Sequence, residues 1–210
     1  MAGLREELQR EVDWRMEEIT ILKTLHIMHP FSDLQKRILQ KNSIPSFYAL
    51  WEGFVQTGLS IYIRYINQLD LSPTVLSKNI IIHDIDVKYN LGDGRKNFEK
   101  KSVLVGDIYN YRKNRVNLET QIPTKSNVNL KVINDIMSRF NLEPLPEVPF
   151  SKNLDILVYQ RNNIAHGADI QTLDDVLIDR LSITTMDSIY EVFTRIMDGY
   201  QNQTFLNSPF

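Results

Sequence analysis

The chain contains no cysteine, which excludes disulfides, thiolate zinc sites, iron–sulfur clusters and thiol nucleophiles together. It also lacks any apolar run near the roughly 18 residues that a membrane span requires. The opening stretch from Arg5, Glu6 and Glu7 to Glu18 holds too many charges for the apolar core of a signal peptide. A cytoplasmic protein without a membrane partner is expected. Internal repeats and low-complexity tracts are missing too.

What remains is ordinary globular material. The 210 residues are 42% hydrophobic and 24% charged, and a chain of this size buries about 70% of the surface its unfolded form exposes. One domain spanning 1–210 is expected. The net charge of −2 does not decide on a nucleic-acid partner, because binding depends on local clusters. Between Lys88 and Lys125 such a cluster exists: nine basic residues against four acidic ones.

Apolar residues at three- and four-residue spacing, Leu4, Leu8, Val12, Met16, Ile19 and Leu22, predict an amphipathic helix over 3–28. Pro30 ends it, and Ser32 is a natural N-cap for a short segment that follows. A second long helix is predicted over 44–69, with Pro45 at its start and apolar residues on more than one face, as a central helix would have. Residues 84–126, with Gly92, Gly94, Gly106 and the β-branched run Val103-Leu104-Val105, read as an irregular insertion with room for a β-hairpin. Ser126-Asn127 is placed as the cap of a helix reaching Phe140. Another helix is predicted from Ser151 to Gly167, and a last one over 173–200 that buries Val176, Leu177, Leu181, Ile189, Phe193 and Ile196. The expected fold is mainly all-α: an up-and-down bundle of four to five helices carrying one insertion.

The stretch Arg161-Asn162-Asn163-Ile164-Ala165-His166 holds the most chemistry. Five helical residues advance about 7.5 Å and turn about 140°, so a long arginine and a histidine reach one ligand from adjacent faces. Asn162 stands four before His166 and shares its face. Cleaving RNA without a metal needs a base for the ribose 2′-hydroxyl and a cation for the phosphate. Histidine suits the first, with an ordinary pKa of about 6.5; arginine suits the second, being permanently charged and able to grip two oxygens. The plain alternative is that cationic side chains in a last helical turn merely answer the helix dipole.

The string Arg-Asn-Asn-Ile-Ala-His-Gly, ending one helix and followed by a long final one, resembles the signature of the HEPN superfamily, with Asn162 at its polar position. The charged opening helix from Glu6 to Val12, the segment Phe47-Tyr48-Ala49-Leu50-Trp51-Glu52-Gly53-Phe54-Val55, and Ser126-Asn127-Val128-Asn129-Leu130 resemble the stand-alone bacterial MAE-like branch. The resemblance spans most of the chain, though only the motif is functionally specific. It implies a metal-independent endoribonuclease that needs no cofactor, works as a homodimer with two motifs sharing one cleft, and serves as a toxin or phage-defence effector silenced by an antitoxin or regulatory protein. Arg161, His166 and Asn162 would be catalytic. Glu52, on the preceding helix, would orient His166 or pair with Arg161; its plain reading is a flank of the Trp51 core position.

In the insertion, Lys96, Lys100, Lys101, Arg112, Lys113 and Arg115 could track an RNA backbone, with Phe98, Tyr109 and Tyr111 for base stacking; a solvated loop has the same composition. His83-Asp84-Ile85-Asp86 reads as a strand end or turn rather than a metal site, and no metal is expected. His26 and His29 are read as caps of helix carbonyls, Gly92-Asp93-Gly94 as a turn, and Ser182 and Ser188 as helix surface. Two other functions stay open: a non-catalytic module holding a nucleotide, an RNA or a partner, and a structural subunit of a larger complex.

Overall fold

A computed structural model of the chain describes residues 2–89, 101, 103–106, 115–124, 126–167 and 173–207. Helix α1 (Ala2–Met28) buries Leu4, Leu8, Val12 and Ile19 along one stripe. Arg15 lies in that stripe as well. Its Nη1 donates to the Glu11 carboxylate at 2.6 Å and carbonyl at 2.8 Å, and the guanidinium covers the Trp14 ring at 4.2 Å, so the buried charge is paired.

Helix α2 (Asp33–Asn67) departs from expectation at its start. Ser32 caps it with a full capping box to Gln35, and the helix then runs through Pro45. The short segment and the second helix of the sequence reading are therefore one helix. An interior proline lacks an N–H and costs about 3 kcal/mol. Here Ser43 and Ser46 donate their hydroxyls to the carbonyls of Gln40 (2.8 Å) and Asn42 (3.1 Å) beside it, and the flanking Ile44, Phe47 and Tyr48 are buried. Burial on several faces makes α2 the bundle's centre: it packs against α1, α5 (Glu147–Ala165) and α6 (Asp175–Gln201).

Between α2 and α5 lie a 3₁₀ turn (Pro73–Val75), α3 (Lys78–Tyr89) and α4 (Leu130–Arg139). Helix α3 corrects the sequence reading: His83 and Asp84 are buried helical residues rather than a strand end or turn. The Val103-Leu104-Val105 run is helical, and no strand occurs among the described residues, only an isolated bridge between Leu76 and Leu206. A hairpin in the glycine-bearing part of the insertion lies outside the described residues. Residues 115–124 form an extended strap along α2. Val116, Leu118, Ile122 and Thr124 face inward, while Ser60 and Asn67 donate to the strap carbonyls of Thr120 (2.6 Å) and Leu118 (2.9 Å).

Helix α4 is capped by Asn129, not by Ser126-Asn127. Helix α6 is capped by Asp174 and buries Leu177, Leu181, Ile189, Phe193 and Ile196; Val176 is exposed, because it follows the cap on the outward side. Ser182 and Ser188, expected on the surface, are fully buried. His26 does not cap carbonyls either: its Nε2 lies 2.8 Å from the Asp175 carboxylate, tying α1 to the start of α6. His29 packs edge-on against Phe31. Among the described residues no helix is long and apolar enough to cross a membrane.

Candidate functional site

The site forms where the last turn of α5 meets α2 and the 124–129 segment. Helix α5 stops at Ala165. His166 is the cap residue, its N–H donating to the Asn162 carbonyl at 3.0 Å, and Gly167 follows at φ +81°. That left-handed backbone suits glycine and turns the chain out of the helix. His166 therefore stands one residue past the helix that was expected to contain it, exposed, with its ring in no hydrogen bond among the described residues.

Arg161 is held on two sides. Its guanidinium lies 4.0 Å from the centroid of the Tyr48 ring, and Nη2 donates to the carbonyl of Ser126. Its Nε is buried without an acceptor. A stacked, hydrogen-bonded guanidinium keeps its charge and loses its rotamer freedom. The neighbouring Asn162 donates to the Asn127 side chain at 3.3 Å.

The shelf beneath Arg161 is fixed by α2. The Tyr48 hydroxyl accepts the Val128 N–H at 2.9 Å, and the Trp51 indole donates to the Val128 carbonyl at 2.7 Å. Both backbone groups of one residue are thus satisfied by side chains one helical turn apart. Burial raises the Tyr48 pKa, and the nearby Glu52 charge adds to that, against the Val128 bond and Arg161; the ring beneath the arginine stays a neutral phenol. Asn129 donates to Asp155 of α5 at 3.0 Å, closing the same junction.

Glu52 lies on this junction, where its hydrogen-bond partner is Thr124, whose hydroxyl donates to it at 2.6 Å while accepting from Gln56 at 3.0 Å. No hydrogen bond or ion pair joins Glu52 to Arg161 or His166 among the described residues. Its charge acts on Tyr48, four residues earlier on α2, raising the phenol pKa. Arg161, Asn162 and His166 thus share one helix end, with Glu52 one layer back.

Of the basic insertion, Lys101 is exposed and Arg115 bonds Asp70, through the carbonyl at 2.6 Å and the carboxylate at 3.5 Å. Lys96, Lys100, Arg112 and Lys113, with Phe98, Tyr109, Tyr111 and the Gly92-Asp93-Gly94 turn, lie outside the described residues. No cluster that could hold a metal occurs among the described residues: Asp86 pairs with Arg139 at 3.1 Å and Asp84 with Lys88 at 2.8 Å.

The residues that sequence reasoning gave no part in this site are Tyr48, Ser126 and Asn127. Each lies in one of the segments that carried the resemblance, and the structure brings both segments onto the arginine. Chemically, the arrangement offers a fixed cation and an exposed imidazole at the end of one helix, suited to gripping a phosphate and moving a proton.

One protein-family model, described as MAE_28990-like HEPN, matches residues 4–205. No curated protein matches, and no solved structure does.

Proposed function

The chain belongs to the MAE_28990-like HEPN family, and from that premise we propose that it is a metal-independent endoribonuclease acting as a toxin or phage-defence effector. HEPN membership itself supports a nuclease or RNA-binding module. The observation that carries the finer reading is the Arg161 guanidinium fixed between Tyr48 and Ser126 at the helix end that displays His166.

In this reading His166 takes the proton of a ribose 2′-hydroxyl. The 2′-oxygen forms a bond to phosphorus, the bond from phosphorus to the 5′-oxygen breaks, and that oxygen takes a proton from water, to which the His166 imidazolium returns its own. Arg161 and the Asn162 amide stabilise the charge on the phosphate oxygens. The products are a 2′,3′-cyclic phosphate and a 5′-hydroxyl. One motif is a thin apparatus, and an isologous dimer supplies two. Ile27, Met28, Leu34 and Val176 are exposed apolar side chains where α1, α2 and α6 converge through the His26–Asp175 and Gln40–Asp175 bonds. Helix α6, the next described helix after the motif in the chain, begins at this end, and this end is the candidate dimer face.

The engagement of Arg161 with a backbone carbonyl also suits a second reading, a binding module that holds RNA or a nucleotide without cutting it. Purified His166→Ala and Arg161→Ala proteins separate the two. The nuclease reading expects each to lose RNA cleavage while circular dichroism and molecular mass stay those of wild type; equal cleavage by His166→Ala would leave only the binding module.

A further inference from the structure

A groove of about 650 Å³ between the start of α3 and the closing turn of α6 has no part in the proposed reaction. Its near wall is Ser77, Lys78 and Asn79, and its far wall is Asn202, Gln203 and Thr204; among the described residues no carboxylate lines it. The walls are preformed: Asn79 donates to the Asn141 side chain at 2.7 Å, and Asn141 donates to the Thr204 carbonyl at 3.0 Å.

The fold leaves three things at the near wall unexplained. Ser77 precedes the first residue of α3 and its carbonyl accepts from Ile81 at 3.3 Å, as an N-cap does. Yet its hydroxyl caps nothing: the residue is 5% exposed and the Oγ has no partner. The N–H groups of Lys78, Asn79 and Ile80 likewise have no acceptor among the described residues. Lys78 is exposed and makes no ion pair among the described residues, at the helix end where the dipole disfavours a cation. A buried hydroxyl, open amides and an unmatched cation are all answered by one anion. The opposing helix end does not cancel this, because α6 satisfies its last carbonyls internally: Asp198 accepts from the Asn202 N–H at 2.8 Å and Gly199 from the Thr204 N–H at 3.0 Å.

We propose that this groove binds a phosphate group, that of a mononucleotide or the free anion, seated on the first turn of α3. The oxygens take the Lys78 and Asn79 amides, the Ser77 hydroxyl and the Lys78 ammonium. The site is independent of the nuclease reading.

The test uses the full chain carrying Arg161→Ala and His166→Ala, so that the motif adds no phosphate affinity of its own. Amide resonances are followed by NMR while sodium phosphate, adenosine monophosphate or adenosine is added at constant ionic strength. The Lys78 and Asn79 amides move downfield with both phosphate compounds and not with adenosine. Tighter binding of the monophosphate assigns a nucleotide to the groove, and equal binding assigns the free anion. Ser77→Ala and Lys78→Ala each weaken the affinity about tenfold, the scale of one charge-assisted hydrogen bond. Ser77→Ala does so without lowering Tm, since it removes an unpaired hydroxyl. Still amides, a response to adenosine equal to that of the monophosphate, or affinity unchanged in both variants would overturn the proposal.

Discussion

Arg161 on α5 stacks on Tyr48 of α2, the guanidinium 4.0 Å from the ring centroid, and the same tyrosine holds the Val128 N–H with its hydroxyl at 2.9 Å. One side chain thus orients the motif's cation with its face and anchors the supporting shelf with its edge.

The two roles are separable by substitution. Tyr48→Phe keeps the ring and strands a buried N–H, which costs about 1–3 kcal/mol of stability; cleavage at a temperature where the variant is folded stays near wild type. Tyr48→Leu also removes the stacking, worth about 0.5–2 kcal/mol, so cleavage falls roughly two- to thirtyfold at equal folded fraction. Denaturation midpoints and initial cleavage rates of both variants check this. Equal rates for Phe and Leu would remove Tyr48 from the account of how Arg161 is placed.

His83 predicts an acid-sensitive fold. Its ring packs 4.7 Å from Phe140 and neither nitrogen has a partner. Burial first, and the Arg139 charge second, push its pKa down to about 4, against the pull of Asp84 and Asp86. The unfolded chain therefore binds a proton that the folded one refuses between pH 6.5 and pH 4. Stability is full above pH 6.5, falls as the pH drops, and loses about 2 kcal/mol by pH 5 from this group. Urea unfolding at pH 8 and pH 5 should show that difference shrinking in His83→Leu. An unchanged difference would place the acid sensitivity elsewhere.

Val176 offers a probe of assembly. It is exposed beside Asp175, so a charge there costs the monomer little. Val176→Asp should keep wild-type circular dichroism, move the mass seen by light scattering from dimer to monomer, and lower cleavage at least about tenfold, the effect of losing roughly 1.4 kcal/mol of transition-state stabilisation. A monomeric wild type, or a variant that stays dimeric and active, would exclude this face.

The helices with one clear stripe were legible in the sequence: Leu4, Leu8, Val12 and Ile19 in α1, and Leu181, Ile189, Phe193 and Ile196 in α6. Pro45 misled, because local preference placed it at a helix start while buried neighbours on both sides carried the helix through it. Helix α3 was hidden because the polar His83 and Asp84 are buried while Ile82 is exposed, which scrambles the apolar period that would mark a helix. Near the candidate site, the sequence placed Arg161 in a helix, where it lies, and His166 in the same helix, which stops one residue before it. Tyr48 and Ser126 were not legible, since their contacts with Arg161 cross 113 and 35 positions of sequence and depend on how α2 and the 124–129 segment pack. The hydrogen bond from Thr124 to Glu52 was not legible either, because Thr124 meets it from a strap with no helical period.

The central claim is that a guanidinium and an imidazole at the end of α5 cut RNA without a metal. Incubating wild type with RNA in excess EDTA and mapping the new termini tests it most directly. The account predicts undiminished cleavage with 2′,3′-cyclic phosphate and 5′-hydroxyl ends; cleavage abolished by the chelator, or leaving 5′-phosphate ends, would contradict it.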